Sequence, residues 1–174
     1  MSNNKSLRKA DKVEFDEYYT QYAYIQKEIN AYLEYDPNVF RDKVVLLPCD
    51  DPEWSNFTKF FAQNFERFGL KKLISTSYAA VSKRNKYKNE FYQLSFFEEN
   101  SPKYDKEKSK THGKIFTLEK DKKSNRKIDI NDLKWDYLDG DGDFRSKEII
   151  KLRNESDYII TNPPFSLFRE FVEW

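Results

Sequence analysis

Apolar residues are distributed along this chain in two patterns. Short runs rich in β-branched and aromatic residues predict strands at 43–48, 71–78 and 157–161. Apolar residues spaced three and four positions apart predict helices, which we place at 14–35, 52–68, 146–153 and 167–172. Run 43–48 is apolar almost throughout, which is typical of a central strand, and run 157–161 is also predicted to be a buried strand. Strands alternating with helices predict a mostly parallel α/β sheet covered on both faces.

Two of the predicted helices have recognisable ends or faces. Asp51 is the expected N-cap of the second helix, with Pro52 at its first position and Gly69 at its end. Its apolar stripe is predicted to be core, and comprises Trp54, Phe57, Phe61, Phe65 and Phe68. The first helix has apolar residues at 18, 22, 25, 29 and 32, and its later tyrosines are also predicted to be core.

The segment 83–127 differs in character from its surroundings. Two β-like runs, 91–97 and 114–118, are separated by the lysine-rich stretch 101–110. This pattern predicts an inserted β-hairpin with a charged connection. The charged stretch is interpreted as solvated surface, and contact with a DNA backbone is the alternative. His112 is expected to lie in a loop without a catalytic role.

Composition narrows the class of protein. The 174 residues are enough for one domain, and 35% of them are charged although the net charge is only +1. Any affinity for DNA must therefore come from local clusters. Residues 1–13 are basic and predicted to be disordered, with a phosphate-contacting arm as the alternative. The single cysteine excludes an internal disulfide, and no run of 18 apolar residues occurs. We expect a soluble cytoplasmic protein without a membrane partner or a metal site.

The loop after the third predicted strand carries the clearest candidate chemistry. Asn162 offers an amide oxygen, and the carbonyl of Pro163 is held by a fixed φ, so the two oxygens could accept both hydrogens of an aromatic amine. Phe165 provides a flat apolar face on which a planar base could stack. The alternative is a Pro-Pro turn followed by a core phenylalanine.

Four stretches together resemble one known family. They are Asp16–Tyr22 (DEYYTQY), residues 47–57 (LPCDDP followed by SNF), Gly140–Glu148 (GDGDFRSKE) and Thr161–Glu170 (TNPPFSLFRE). In this order they resemble the EcoRI-type adenine-specific DNA methyltransferases. The match runs from about residue 14 to the last residue, and it is poor near 83–127.

The resemblance implies a fold, a cofactor and a substrate. The fold is a Rossmann-like S-adenosylmethionine-dependent methyltransferase sheet, and residues 14–174 would form a partial catalytic domain. The substrate implied is double-stranded DNA with an adenine flipped out, and a cognate restriction endonuclease could act on the same site. The chain is expected to be truncated after the helix that follows Asn-Pro-Pro-Phe, with the target-recognition region absent.

The resemblance also implies roles for individual residues. The implied catalytic residues are Asn162, Pro163, Pro164 and Phe165. The implied cofactor-binding residues are Tyr19, Thr20, Cys49, Asp50, Asp143 and Phe144. Asp143 would contact the cofactor's adenine amine and Phe144 its ring, and we expect the strands before Asp143 and Asn162 to be adjacent.

Several of these residues have plain structural alternatives. Tyr19 and Thr20 could belong to an ordinary amphipathic helix, Asp50 could be a cap, and Asp143 could lie in an Asp- and Gly-rich turn. A calcium loop at Asp139 or Asp141 is excluded because no glutamate stands at its twelfth position. The second strand ends in Ser75-Thr76-Ser77-Tyr78 and not in an acid, so no ribose-binding residue is assigned.

Two other functions are compatible with the same motif. Methyltransferases that act on RNA bases or on protein glutamine also use Asn-Pro-Pro followed by an aromatic residue. The third possibility is an inactive remnant that serves at most as a binding module. Stretches 140–148 and 161–170 favour DNA adenine.

Overall fold

The computed structural model describes residues 21–52, 55–79, 104–120, 135–163 and 167–174. The predicted basic terminus 1–13, the predicted strand 91–97 and the predicted site residues Tyr19 and Thr20 lie outside these ranges. Pro164 and Phe165 also lie outside them.

The described residues form five strands and six helices. The strands are β1 (Val44–Leu47), β2 (Lys72–Ser77), β3 (Lys114–Glu119), β4 (Trp135–Tyr137) and β5 (Tyr158–Ile159). The helices are α1 (Tyr22–Tyr35), α2 (Asn56–Gln63), α3 (Phe65–Phe68), α4 (Lys108–Thr111), α5 (Lys147–Asn154) and α6 (Phe168–Glu173). The strands form one sheet in the order β4-β3-β2-β1-β5. Each of the three predicted strands is present, and β1 is central to the parallel part.

The sheet is mixed, so the prediction of a mostly parallel sheet is wrong. β1 pairs in parallel with β2 and with β5, whereas β3 is antiparallel to both β2 and β4. The reason is that β3 begins at the edge where β2 ends: Ser77 pairs with Lys114. The predicted strand 114–118 is confirmed as β3, but it lies inside the main sheet, between β2 and β4.

Helices cover both faces of the sheet, as the alternation predicts. On one face, α1, α2 and α3 pack on side chains such as Val45, Leu47 and Leu73, and bury Ile25, Ile29 and Phe61. On the other face, Val44, Leu46 and Ile74 lie under Leu152 of α5 and Trp174 beyond α6. Neighbouring residues of β1 therefore serve opposite layers, as the period of two requires.

The helix after β1 begins later than predicted. Its N-cap is Ser55, and not Asp51, because the Ser55 hydroxyl accepts the amide hydrogens of Phe57 and Thr58. The predicted end at Gly69 is confirmed, since Gly69 has φ +64° at the C-cap of α3. The aromatic stripe is also confirmed as core at Phe61, Phe65 and Phe68, while Trp54 is outside the described residues.

Two expectations about burial are wrong. Tyr32 is 55% exposed, because the buried stripe of α1 continues from Ile29 to Leu33, one helical turn on. Strand β5 is not fully buried either: Ile159 is 41% exposed, and β5 has one neighbour, β1, in the described part of the sheet. Within the described ranges, no helix has the length and apolar character needed to cross a membrane.

Candidate active site

The loops that follow β1 and β5 meet at one edge of the sheet. The two strands are parallel neighbours, with Leu46 paired to Ile159, and the Ile160 amide donates to the Leu46 carbonyl at 3.0 Å. The strand that follows β1 along the chain, β2, lies on its other side. After β1 the chain enters α2 on one face of the sheet, whereas after β5 it leads to α6 and Trp174 on the other face. A cleft between such strand ends is the common ligand position in open α/β sheets.

A buried carboxylate joins the two loops. Asp50, from the loop after β1, is only 6% exposed. Its Oδ1 accepts a hydrogen bond from the Ser55 hydroxyl at 2.6 Å, and its Oδ2 accepts one from the Thr161 hydroxyl at 2.6 Å. Thr161 directly precedes Asn162, so this bond brings the predicted catalytic loop and a predicted cofactor-binding residue together.

Burial changes the acidity of Asp50. Loss of contact with water raises the pKa of its carboxyl to about 6, although the Ser55 and Thr161 hydrogen bonds lower the pKa and the nearby Asp51 carboxylate adds to the rise. A buried carboxylate with a shifted pKa at a strand end, with hydroxyls arranged around it, is typical of a functional site.

The polar end of β2 supports the loop after β1. The Ser75 hydroxyl donates to the Asp50 carbonyl at 2.5 Å and lies 2.7 Å from the Thr58 hydroxyl. The Thr76 hydroxyl donates to the Pro48 carbonyl at 3.2 Å. These buried hydroxyls hold the backbone that carries Asp50, which gives a physical role to the Ser-Thr sequence that ends β2.

The remaining residues of the two loops are only partly buried. Cys49, Asn162 and Pro163 each retain some exposure at this edge. Their positions after β1 and β5 agree with the predicted arrangement, but their assigned roles stay predictions. Ser55 and Thr161 were not predicted as site residues, because a lone hydroxyl carries no distinctive signal until the fold brings it to a carboxylate.

Asp143 lies on a more distant strand end than predicted. β4 and β5 are the outer strands of the described sheet, so the expected adjacency of their ends is wrong. The Asp143 carboxylate accepts hydrogen bonds from Arg145 Nε at 2.9 Å and Nη2 at 2.6 Å. Arg145 Nη1 also donates to Glu170 Oε2 at 2.5 Å, which ties this turn to α6.

Phe144 is buried in an apolar cluster. Its ring centroid lies 5.4 Å from that of Phe171 and 5.5 Å from that of Trp174, both in edge contacts. Leu138 and Ile149 complete the buried part of this cluster. The predicted contact between Phe144 and a cofactor ring stays a prediction. Such a contact would require a face of the Phe144 ring that packs toward α6 in this structure.

Two glycines let the turn after β4 reach back over β3. The Asp141 carbonyl accepts the Ala79 amide hydrogen at 2.7 Å, just beyond β2. A Cβ on Gly142 would lie 2.2 Å from the Ser77 carbonyl oxygen, and one on Gly113 would lie 2.3 Å from the same atom. Gly142 also has φ +78°. The turn that carries Asp143 therefore packs on the end of β2 although β3 lies between the strands.

Comparisons with known proteins indicate the family of this chain. A family model described as adenine-specific methyltransferase EcoRI matches residues 6–174. The chain belongs to this family. The resemblance stated from the four sequence stretches is thereby confirmed.

Three relatives show what share of a related protein's length this chain covers. Type II methyltransferase M.EcoRI of Escherichia coli is 41% identical over 172 residues, which are 99% of this chain and 45% of that protein. M.MpnI of Mycoplasma pneumoniae is 34% identical over 95% of this chain and 39% of its own length. M.MgeORF184P of Mycoplasma genitalium is 28% identical, with coverages of 96% and 39%. The chain spans less than half the length of these curated relatives. No solved structure gives a significant match.

Proposed function

We propose that the protein is a DNA methyltransferase of a restriction–modification system, transferring a methyl group from S-adenosylmethionine to N6 of adenine. Membership of the EcoRI adenine-specific family supports this proposal, as do three relatives named type II methyltransferases. The mixed five-stranded sheet, with helices on both faces, is consistent with the Rossmann-like methyltransferase fold.

The residues around Asp50 fit the proposed cofactor. Asp50 presents a largely dehydrated carboxylate at a strand end, where it could accept a hydrogen bond from a ribose hydroxyl or an amine. We assign Asp50 and Cys49 to the binding site of this cofactor, together with Asp143, Phe144, Tyr19 and Thr20. When bound, S-adenosylmethionine supplies the methyl group from its sulfonium centre.

Asn162 and Pro163 would act on the acceptor base. The Asn162 side-chain oxygen and the Pro163 carbonyl accept the two hydrogens of the adenine amine, which draws the nitrogen lone pair out of conjugation with the ring. Pro164 stiffens the loop and Phe165 stacks on the base. Since N6 is not accessible inside a stacked duplex, the adenine must be flipped out of the helix.

The observation that carries this proposal is the 2.6 Å hydrogen bond from Thr161 to Asp50. It places the residue before Asn162 in direct contact with the loop proposed to hold the methyl donor. Methyl transfer requires the donor and the acceptor to be close and aligned, and much of the rate enhancement in such a site comes from this positioning.

The biological setting is part of the proposal. A cytoplasmic methyltransferase of this type would protect DNA from an endonuclease that recognises the same sequence. RNA or protein methylation is less favoured, because the family and the names of the relatives concern adenine and type II systems. A binding module without turnover is the alternative that the following experiment excludes or supports.

The test is the substitution Asn162→Ala in the intact protein. We expect methylation of adenine-containing duplex DNA to fall by at least about 100-fold, while calorimetric affinity for S-adenosylmethionine changes little. Asn154→Ala, at the end of α5, is the matched control and should retain activity. Equal losses of transfer and cofactor affinity in Asn162→Ala would contradict the assigned role. Cofactor binding by the unsubstituted protein without any methylation would favour the binding module.

A further inference from the structure

Two hydrogen bonds hold the residues that lead into Asn162. Ile160 is held to β1 through its amide, and Thr161 is held through its hydroxyl to Asp50. Thr161 directly precedes Asn162, so the backbone conformation of Thr161 contributes to the position of Asn162.

The residues that follow Thr161 are intrinsically stiff. Asn162 precedes a proline, which restricts it to extended backbone conformations. The φ of Pro163 is fixed by its ring. Flexibility between the end of β5 and the Pro163 carbonyl is thus concentrated at Thr161. A hydrogen bond that fixes the Thr161 side chain also limits rotation about the backbone bonds of Thr161.

Asp50 is itself rigidly held, so it can serve as an anchor. Its carboxylate accepts a hydrogen bond from the Ser55 hydroxyl, which also caps helix α2. Its backbone carbonyl accepts a hydrogen bond from the Ser75 hydroxyl of β2. The anchor is therefore connected to a helix and to a central strand. By contrast, β5 is only two residues long and pairs with β1 alone in the described sheet.

We propose that Thr161 is a positioning residue, whose hydrogen bond to Asp50 fixes Asn162 and Pro163 relative to the methyl-donor pocket. This inference rests on the proposed function, since it concerns the alignment needed for methyl transfer. Thr161 does not contact the reacting atoms. Its loss would leave the acceptor groups present but misaligned, and the cost would appear in turnover.

The experiment compares four variants with the unsubstituted protein and with Asn162→Ala. Thr161→Val keeps the shape of the side chain and removes its hydroxyl, whereas Thr161→Ser keeps the hydroxyl. Thr117→Val removes an exposed hydroxyl on β3 and is the matched control. The double variant Thr161→Val with Asn162→Ala tests whether the two residues act as one unit. Turnover at saturating cofactor and DNA, cofactor affinity by calorimetry, and thermal unfolding are measured for each.

We expect Thr161→Val to lower kcat by roughly 10- to 100-fold, as for a small misplacement of reacting groups. Cofactor affinity should change by less than about fivefold, Thr161→Ser should restore most of kcat, and Thr117→Val should leave it unchanged. Because Thr161 acts through Asn162 and Pro163, the loss in the double variant should be smaller than the product of the two single losses.

The contrary results separate the two proposals. A kcat for Thr161→Val within twofold of the unsubstituted protein would overturn the inference, provided that Asn162→Ala still abolishes transfer. Losses that multiply in the double variant, or a Thr161→Ser variant as impaired as Thr161→Val, would also overturn it. An unsubstituted protein that binds no cofactor and transfers no methyl group would overturn the proposed function, and the inference with it.

Discussion

The ammonium group of Lys114 lies 3.7 Å from a carboxylate oxygen of Asp51, and both side chains are largely withdrawn from water. Lys114 begins β3, and its Nζ also lies 4.8 Å from the centre of the Trp135 ring, in a cation–π contact. The ion pair therefore connects β3 with the loop that carries Asp50, across the end of β2.

Removing one partner of this pair should be costly. We expect Lys114→Met, which retains an apolar stem over Trp135, to lower the free energy of unfolding by about 3 kcal/mol, because the Asp51 carboxylate loses its compensating charge. Urea unfolding would measure the loss. Adding Asp51→Asn should recover a large part of it. If the losses from the two substitutions simply add, the pair has no energetic coupling.

The raised pKa of Asp50 predicts a specific pH dependence of stability. Its folded value is about 6 and its ordinary value is 3.8, so between these limits the folded protein binds more protons than the unfolded chain. The contribution of Asp50 to the free energy of unfolding should therefore decrease as pH rises from about 4 to 6, by up to about 3 kcal/mol in total.

Asp50→Asn isolates this effect from other titrating groups. Urea unfolding of both proteins at pH 4.5 and pH 7 gives the difference between their pH responses. We expect the unsubstituted protein to lose more stability than Asp50→Asn on going to the higher pH. Parallel responses would mean that the Asp50 carboxyl titrates normally in the folded protein.

The turn after β4 crosses over β3 and packs against Ser77, so any side chain at Gly142 should destabilise the fold. We expect Gly142→Ala to lower the free energy of unfolding by roughly 2–4 kcal/mol, from the clash with Ser77 and the positive φ. Gly140→Ala is the matched control, since its Cβ would meet only the end of Glu148 at 3.6 Å. Similar thermal unfolding of both variants would contradict the crossing.

The guanidinium group of Arg145, which donates two hydrogen bonds to the Asp143 carboxylate, should orient Asp143 but add little to the free energy of unfolding. The Arg145 side chain is about half exposed, so we expect Arg145→Lys to change the free energy of unfolding by no more than about 1 kcal/mol. A lysine cannot bind both Asp143 oxygens through a planar fork, so calorimetric affinity for S-adenosylmethionine should fall. Arg169→Lys, at an exposed pair with Glu173, should alter neither quantity.

Much of the fold follows from local patterns in the sequence. The apolar run of β1 is buried as predicted, as are Phe61, Phe65 and Phe68 of the stripe in α2 and α3, because both patterns are long enough to show their periods. Phe57 of the same stripe is partly buried. The bounds of strand β4, which precedes Asp143, were not predicted, since it has three residues and Asp136 at its centre. The antiparallel direction of β3 depends on where the chain re-enters the sheet, which no local pattern records.

The candidate site was predictable to a different extent. The order of the four motifs predicted Asp50 and Asn162 as site residues. The fold brings their loops together through Thr161. The position of Asp143 was misjudged, because spacing along the chain carries no information about a strand inserted into the sheet. The hydroxyls of Ser55 and Ser75 gain their roles only from tertiary contacts with Asp50.

Strand order also bears on what size of molecule the site could accommodate. Neighbouring strands are about 4.8 Å apart, so β4 lies about 14 Å from β1, three intervals away. A ligand that contacts both loops would have to bridge this separation. Because Gly113 and Gly142 lack a Cβ, the turn after β4 packs against Ser77 at the end of β2, one interval from β1. The two glycines thus bring the turn that carries Asp143 nearer to the loop that carries Asp50.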